Sequence, residues 1–274
     1  MIKLVLTDLD DTLIPAGARG ASQRALDAID GLLEEAIRFG PVTGRVPQSM
    51  GWMLGADERR CATGAFSNGQ VLYLDGEVVH VEYLDADVLD RLRYYLDIKT
   101  YDCALTLHEV EGEPHAVLVT SDPARIGSLR SGTDSYDGVV ARVPDRTWVK
   151  SNIVCGCDRR AMESLRDRLV REFPELDFVF PSAWAPYIDL LPKGYNKGSA
   201  VRILADKLSI GLDEVATFGD SENDLSMIAG FPNSVAVANA TEAVKQAAAY
   251  QIGPVSDDSV ARALEHICGF GTVM

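Results

Sequence analysis

The feature that most constrains the fold is the start of the chain, where a short apolar run meets a cluster of acids. Residues 2–6 are mostly apolar and stop at the segment Thr7-Asp8-Leu9-Asp10-Asp11-Thr12. An apolar run of this length, bounded by polar residues, predicts a buried strand. The acids then lie at its carboxyl end, where open α/β sheets bind ligands. On an extended strand end Asp8 and Asp10 point to the same side, because side chains alternate.

Neighbouring carboxylates repel each other and raise each other's pKa. This is tolerated when a cation lies between them or when one of them holds a proton for chemistry. The alternative for this segment is a solvated acidic loop without function. The motifs further along the chain favour a site over that alternative.

Length and composition predict a core domain that carries an insertion. The chain has 274 residues, of which 47% are hydrophobic, more than one average domain needs. No apolar stretch approaches the roughly 20 residues of a membrane span, and the amino terminus lacks the pattern of a secretory signal. We therefore expect a cytoplasmic protein with no membrane partner. Five cysteines lie scattered along the chain without metal-like spacing, which predicts reduced, mostly buried thiols rather than a zinc site.

A formal net charge of −15 argues against nucleic acid as a partner, because phosphate backbones are bound by clustered basic faces. The same charge repels anionic substrates at long range. A site for a phosphate ester would need its own positive charge, from a metal ion and a few lysines or arginines.

Periodicity and turn signals predict an alternation of strands and helices. The first part of the chain is predicted to contain a helix over Ser22–Glu35, a short strand through Gly40-Pro41 to Arg45, a helix over Pro47–Leu54, a strand over Cys61–Phe66 and a hairpin over 70–83 that turns at Asp75-Gly76.

The pattern changes between about residue 85 and residue 188. This region is predicted to contain helices over Asp87–Leu96 and Arg159–Glu172, strands near 103–108, 115–120, 147–155, 177–181 and 186–191, and a Gly/Ser-rich stretch at 127–138. The alternating pattern then resumes with helices over 198–208 and 224–229 and strands over 214–218 and 234–237. We predict an α/β fold: a Rossmann-like, doubly wound parallel sheet core (1–84 and 189–274) with an inserted α/β cap domain (85–188) that acts as a lid.

Four motifs in this order carry a family resemblance. They are Asp8-x-Asp10-x-Thr12, Thr43-Gly44-Arg45, Lys197, and Gly219-Asp220-x-x-Asn223-Asp224. Together they resemble the haloacid dehalogenase superfamily of phosphohydrolases, and the long insert between the second and third motifs is similar to the Cof-type members with an α/β cap (subclass IIB). The resemblance covers nearly the whole chain and implies a phosphatase.

The resemblance implies that Asp8 is a nucleophile and Asp10 a general acid and base. A carboxylate nucleophile forms an aspartyl-phosphate and divides one difficult displacement into two easier ones. Asp10 would protonate the leaving group and later activate water. Phosphatases and mutases of the superfamily carry Asp at this position, whereas its dehalogenases and ion pumps do not.

Asp220, with Asn223 or Asp224, is predicted to complete a Mg²⁺ site alongside Asp8 and the main-chain carbonyl of Asp10. Magnesium prefers hard oxygen ligands and keeps several waters, so two or three protein ligands suffice. The alternative for this segment is a turn that caps a helix, since Asp, Ser and Asn favour such positions.

Thr43, Gly44 and Lys197 are the predicted phosphate-binding residues. The Thr43 hydroxyl and the Gly44 N–H could donate to the phosphate at a loop that faces a helix, although an ordinary strand-end threonine is the alternative. Lys197 would supply positive charge, because a cation at a helix amino terminus needs an anion nearby. Asp11 departs from the family pattern, which usually has glycine there, and Pro41 predicts that its strand is short.

The resemblance implies small phosphorylated metabolites, most often sugar phosphates, as substrates of a monomer or homodimer. Two alternatives remain at this stage. A phosphomutase uses the same aspartyl-phosphate and returns the phosphoryl group to the sugar. A signalling receiver module binds Mg²⁺ with paired acids and holds a phospho-aspartate without turnover.

Overall fold

The computed structural model describes residues 1–50, 52–99, 101–110, 116–129, 136–182 and 184–274. The chain forms two compact units. The first joins Met1–His80 with Asn196–Met274, and the second comprises Val81–Tyr195. The predicted insert, 85–188, lies within this second unit.

The bounds of the regular elements are as follows. The strands are β1 (Leu4–Thr7), β2 (Arg38–Pro41), β3 (Gly64–Phe66), β4 (Val71–Leu74), β5 (Glu77–Val81), β6 (Cys103–His108), β7 (Ala116–Val119), β8 (Tyr136–Val140), β9 (Lys150–Cys155), β10 (Leu176–Val179), β11 (Tyr187–Pro192), β12 (Val215–Gly219), β13 (Asn233–Ala236) and β14 (Tyr250–Gln251). The α-helices are α1 (Gln23–Glu34), α2 (Ala86–Ile98), α3 (Arg159–Glu172), α4 (Lys197–Leu208), α5 (Leu225–Ala229), α6 (Glu242–Ala247) and α7 (Ser259–Phe270).

The first unit is built on a five-stranded sheet in the order β14-β13-β12-β1-β2. All of its pairs are parallel, and Thr7 at the end of β1 lies beside Phe218 on β12. Strands β1 and β12 are buried along their whole length, as expected for a parallel sheet covered on both faces. The predicted parallel α/β core is confirmed, and the carboxyl ends of β1 and β12 meet at one edge of the sheet.

The first helix forms as predicted because its start is capped and one face is apolar. The Ser22 Oγ accepts a hydrogen bond from Ala25 N at 3.1 Å, and Ala25, Ala28, Ile29 and Leu32 are buried. Helices α1 and α7 pack against each other, which covers apolar area that neither could bury alone.

The strand that contains Pro41 is short, as predicted, but ends before Val42. It lies at an edge of the sheet, where a proline is tolerated because no ladder bond is lost on the open side. Val42 instead pairs with Ala65 in an isolated bridge, and the predicted strand over Cys61–Phe66 is shortened to β3 by a 3₁₀ turn at Glu58–Cys61.

The predicted helix over Pro47–Leu54 is wrong. Among the described residues of this stretch, only Pro47–Ser49 form a 3₁₀ turn, and residues 52–54 form further turns. Gly55 and Ala56 then adopt left-handed backbone conformations, with φ of 74° and 59°. A right-handed helix cannot continue through such residues.

The predicted hairpin is confirmed as β4 and β5. Its two turn residues, Asp75 and Gly76, both have positive φ, 52° and 89°. This is the requirement of a two-residue type I′ turn, which explains why Asp-Gly is favoured there.

The second unit contains a six-stranded sheet in the order β10-β11-β9-β6-β7-β8, with only β7 and β8 parallel. Helices α2 and α3 bury apolar faces in a cluster that includes the fully buried Trp148. The predicted helix over Arg159–Glu172 is confirmed with the same bounds, whereas β8 was not predicted. Residue 115 of the predicted strand near 115–120, and 130–135 of the Gly/Ser-rich stretch, lie outside the described residues. Within the described part of the chain, no helix has both the length and the apolarity to cross a bilayer.

Candidate active site

Three buried carboxylates meet at the carboxyl edge of the parallel sheet. Asp8 follows β1 and donates its backbone N–H to Phe218 O on β12 at 2.9 Å, while Asp220 follows β12 itself. Asp224 is fully buried in the turn that comes next. One carboxylate oxygen from each of Asp8, Asp220 and Asp224 lies within 4.8 Å of the other two. We call these three residues the acidic group.

Gly219 allows Asp224 to reach this position. A Cβ atom on Gly219 would lie 2.6 Å from the Asp224 Cβ, closer than two carbon atoms can approach. The Asp224 Oδ2 accepts hydrogen bonds from the backbone N–H groups of Asp220 and Ser221, both at 3.0 Å. The Asp224 side chain therefore caps the backbone N–H groups of the turn after β12. This is the capping role that was the alternative for its segment.

Lys197 joins Asp8 to Asp224. Its Nζ lies 2.6 Å from Asp8 Oδ1 and 2.6 Å from Asp224 Oδ1, and the lysine side chain has no exposed area. Lys197 is the first residue of α4, behind a capping box of Asn196 and Ser199. Two carboxylates thus compensate a cation at a helix amino terminus, where the helix dipole alone would disfavour it.

The acidic group holds more negative charge than Lys197 balances. Burial, followed by the repulsion of Asp224, raises the pKa of Asp220 to about 7. Burial is also the main reason why the pKa of Asp8 is raised well above its usual value, against the opposing attraction of Lys197. Burial alone would lower the pKa of Lys197, but the attraction of Asp224 and Asp8 outweighs it, so the net direction is upward.

These residues fit a divalent cation. One buried ammonium faces three buried carboxylates, so two negative charges (3 − 1) remain to be balanced. Carboxylate oxygens are the ligands that hard cations such as Mg²⁺ prefer. Both oxygens of Asp224 already accept hydrogen bonds, which leaves Asp8 and Asp220 as the side chains best suited to hold the ion.

Asp10 lies apart from the acidic group. Its carboxylate is exposed and accepts two hydrogen bonds from Arg45, from Nε at 2.8 Å and from Nη2 at 2.7 Å. Strand β1 ends at Thr7, and the Leu9 carbonyl accepts from the N–H groups of residues 12–14 in a tight turn. Strand alternation therefore does not extend from Asp8 to Asp10. Arg45 belongs to a predicted motif, but its pairing with Asp10 was not foreseen.

Thr43 and Gly44 lie in a buried loop beside Asn68. The Thr43 Oγ1 accepts from Arg45 N at 3.2 Å, and the Thr43 carbonyl accepts from Asn68 N at 2.8 Å. A Cβ on Gly44 would lie 3.2 Å from the Asn68 Oδ1. Among the described residues the helix predicted after this loop does not form, so it supplies no amino terminus to the loop.

The Asn223 side chain is hydrogen-bonded to Ser221 and Asn68. Its Oδ1 accepts from Ser221 Oγ at 2.9 Å and its Nδ2 donates to Asn68 Oδ1 at 3.1 Å. Asn68 is buried, and Ser67, Asn68 and Gly69 all have positive φ. Consecutive residues in this conformation are costly and concentrate at functional sites. Ser67-Asn68-Gly69 directly follows a predicted strand, but no role was predicted for Asn68.

Thr12 is a second residue without a predicted role. It donates from Oγ1 to Asp220 Oδ1 at 2.9 Å and is fully buried. Its place two residues after Asp10 in the first motif was a usable signal. The bond fixes one Asp220 oxygen relative to the turn that follows β1.

Comparison with known proteins gives one family and a shared fold. The sequence profile of the haloacid dehalogenase-like hydrolases matches residues 5–264. An HMP-PP phosphatase of Enterobacter sp. (strain 638) is 25% identical over 252 residues, which are 88% of this chain and 85% of that protein.

Two solved structures have the same fold over nearly the whole chain. The phosphatase BT1666 from Bacteroides thetaiotaomicron is 21% identical, with a TM-score of 0.80 over 100% of this chain and 96% of that one. The subclass IIB sugar phosphatase BT4131 is 17% identical, with a TM-score of 0.76 over 99% and 100% of the two chains.

Proposed function

Because the chain belongs to the haloacid dehalogenase-like hydrolase family, we propose that it is a Mg²⁺-dependent phosphatase that forms an aspartyl-phosphate on Asp8. The observation that carries the proposal is the buried acidic group with Lys197 at the joined ends of β1 and β12. Structural lysines and carboxylates are rarely this deeply buried. Perturbed pKa values at a strand end of an α/β sheet are typical of catalytic sites.

Asp8 is the proposed nucleophile. One of its oxygens is held by Lys197, so the carboxylate is fixed in direction and its charge is partly balanced. Attack on phosphorus needs that balance, because the carboxylate and the phosphate ester are both anionic. Asp8 and Asp220 would hold Mg²⁺, which would supply the remaining positive charge at the site.

Asp10 is the proposed general acid and base. In the structure both of its oxygens accept from Arg45, which fixes the carboxylate at the exposed side of the loop after β1. To protonate a leaving oxygen, Asp10 exchanges one of these bonds for the substrate. The Thr43 hydroxyl and the Gly44 N–H are the proposed donors to the transferred phosphoryl group, together with Lys197.

We propose small phosphorylated metabolites, first of all sugar phosphates, as substrates. The insert, 85–188, is the proposed lid that excludes water and selects the leaving group. Support comes from the relatives, since BT4131 is described as a sugar phosphatase and the Enterobacter protein as an HMP-PP phosphatase. A panel of sugar phosphates that also includes HMP-PP separates these two classes by their kcat/KM values.

The deciding experiment is hydrolysis of an aryl phosphate with Mg²⁺ by wild type and Asp8→Asn. We expect Asp8→Asn to lose at least roughly 1,000-fold in kcat, because the amide cannot attack phosphorus. The matched control is Asp75→Asn, in the hairpin turn. It removes a carboxylate that is paired with Arg38 and not with Lys197. Asp75→Asn should keep wild-type kcat. Turnover by Asp8→Asn well above background would refute a covalent mechanism at Asp8.

The same assay separates the alternatives. Repeated release of free phosphate supports a phosphatase. Transfer of the phosphoryl group back to a sugar, with little free phosphate, indicates a mutase. Release that stops after one equivalent per chain indicates a receiver module.

A further inference from the structure

Three of the five cysteines converge in the second unit, although they are scattered in the sequence. Cys103 on β6 and Cys155 on β9 are direct partners in the antiparallel register. The Cys103 Sγ donates to the Cys155 Sγ at 3.2 Å, and both residues are buried. Cys157 follows two residues later and is partly exposed.

The pairing of Cys103 with Cys155 has the geometry that suits a disulfide. Gly156 N donates to Asp102 O at 2.8 Å, so the hydrogen bond runs between the residues that flank the pair. Cys103 and Cys155 are therefore a non-hydrogen-bonded pair, in which Cα atoms are about 4.5 Å apart and side chains approach closely. This separation falls within the range that a disulfide spans.

Cys157 differs from the buried Cys155 in its ionisation. The hydrogen bond from Cys155 lowers the pKa of Cys157 to about 7, although partial burial and the nearby Asp158 and Asp102 oppose the shift. The hydrogen bond that the Cys155 thiol donates to Cys157, together with burial, raises the pKa of Cys155. The thiolate is the reactive form of cysteine, so the partly exposed Cys157 reacts more readily than Cys155 near neutral pH.

Cys61 in the first unit provides an internal contrast. It is also only partly buried, but burial raises its pKa to about 11. At neutral pH a thiol of that kind is ionised to roughly one part in ten thousand, whereas a thiol with a pKa near pH is about half ionised.

We propose that Cys157, Cys155 and Cys103 form an oxidation site for hydrogen peroxide, with attack at Cys157 and a Cys103–Cys155 disulfide as product. The Cys157 thiolate attacks one peroxide oxygen, so an S–O bond forms, the O–O bond breaks and hydroxide leaves. The Cys155 sulfur then attacks the sulfenic acid, which forms an S–S bond and releases water. Finally Cys103 attacks Cys155, and the Cys157 thiolate is released.

Overall, two thiols and one hydrogen peroxide give one disulfide and two waters, and the two electrons pass from sulfur to oxygen. Gly156 lies between the two cysteines of the intermediate disulfide, and its missing side chain lets that short segment adjust. The final disulfide joins β6 and β9, the central strands of the six-stranded sheet. The proposal is independent of the hydrolase chemistry, because all three cysteines belong to the second unit.

The test exposes the reduced full-length protein to hydrogen peroxide at pH 7, then counts free thiols under denaturing conditions and maps disulfides by mass spectrometry. We expect the count to fall from five to three, since one disulfide consumes two of the five thiols. The peptides that contain Cys103 and Cys155 should be linked, and dithiothreitol should restore all five thiols.

Variants test the order of events. In Cys157→Ser the loss of the Cys103 thiol should slow at least roughly tenfold, because the reactive thiolate is gone. In Cys103→Ser a sulfenic acid at Cys157 or a Cys155–Cys157 disulfide should remain, and dimedone traps the former. The matched control, Cys61→Ser, should oxidise at the wild-type rate.

Three outcomes would overturn the proposal. The first is that all five thiols survive peroxide. The second is that Cys61 or Cys268 is oxidised as fast as Cys157. The third is that the Cys103–Cys155 link forms at the same rate in Cys157→Ser as in wild type.

Discussion

At the scale of single residues, the acidic group depends on Lys197. Its ammonium has no exposed area and contacts two buried carboxylates at 2.6 Å. A buried ion pair is only marginally favourable as a whole, because desolvation offsets the attraction between the charges. Removing one partner is costly, since the remaining charges are then buried without compensation.

We predict that Lys197→Met lowers the free energy of unfolding by about 3–5 kcal/mol and abolishes phosphatase turnover, because Asp8 and Asp224 lose their shared cation. Urea denaturation without divalent cations measures the first effect. The matched control is Lys193→Met, which removes an ion pair of the same 2.6 Å length with Asp177 but with an exposed lysine. That change should cost less than about 1 kcal/mol. Equal losses in the two variants would contradict the role assigned to burial.

The raised pKa of Asp220 predicts an unusual pH dependence of stability. In the folded, metal-free protein this carboxyl has a pKa of about 7, whereas its ordinary value is 3.8. Between these two values the folded state binds a proton that the unfolded state has released. The free energy of unfolding should therefore fall as pH rises from about 4 to 7.

Denaturation at several pH values in the presence of a chelator checks this prediction. Asp220→Asn should flatten the dependence, and Asp257→Asn, at an exposed position, should not. A divalent cation should reverse the trend, because the ion competes with the proton for the same carboxylate. If the free energy of unfolding of the metal-free protein rose over this pH range, it would contradict the raised pKa of Asp220.

The sequence indicated the residues of the site better than their arrangement. Asp8 and Asp220 each follow an apolar run, and the adjacency of β1 and β12 places them together. The contacts of Asp10 with Arg45 and of Asn223 with Asn68 join positions far apart in the chain. Side-chain pairing of this kind depends on loop conformation, which local patterns do not specify.

At the scale of elements, predictions succeeded where capping and periodicity agree. Helix α3 has the predicted bounds, with Asp158 as its cap and Met162, Leu165 and Leu169 buried on one face. The helix predicted over Pro47–Leu54 rested on a proline start alone, and in the described part of that stretch only Pro47–Ser49 form a 3₁₀ turn. Strand β8 was missed because it begins inside the Gly/Ser-rich stretch, and glycine is unfavourable in strands.

Two exposed glycines test turn and helix preferences separately. Gly76 has φ of 89° in the hairpin turn, Gly269 lies in α7, and a Cβ on either would meet no atom within 4 Å. We predict that Gly76→Ala lowers the free energy of unfolding by about 1–2 kcal/mol, because alanine disfavours the left-handed region. Gly269→Ala should raise it by about 0.5–1 kcal/mol, because alanine is the better helix former.

Urea denaturation of the two variants measures both changes. Because neither added methyl group makes a contact, opposite signs can arise only from the backbone. Changes of the same sign would contradict the type I′ assignment of the hairpin turn.

At the scale of the whole molecule, the predictions of architecture and enzyme class are confirmed. The parallel core with an inserted α/β unit is the observed arrangement, and the family match together with the phosphatase relatives supports a phosphatase of the haloacid dehalogenase superfamily. The motifs were sufficient to predict the architecture and the enzyme class. Each lies at the end of a strand or the start of a helix, where α/β sheets bind their ligands. The convergence of the cysteines was not predictable, since it depends on the register of β6 and β9.

The net charge of −15 predicts how turnover responds to salt. A protein of this charge repels an anionic phosphate ester, and salt screens the repulsion. With saturating Mg²⁺, raising ionic strength from about 0.01 M to about 0.15 M shortens the screening length from about 30 Å to about 8 Å. We expect kcat/KM for a phosphate ester to rise while kcat stays constant. A fall in kcat/KM would show that local positive charge dominates the approach of the substrate.

The place where the chain returns to the first unit has a consequence for replacing the insert. Tyr195 ends the second unit, and the next residue, Asn196, caps the helix that begins with Lys197. The chain leaves the first unit along β5, the second strand of the hairpin that turns at Asp75-Gly76. Residues of the first unit thus specify both junctions. We expect that a different domain spliced in between them would leave Lys197 at the start of its helix.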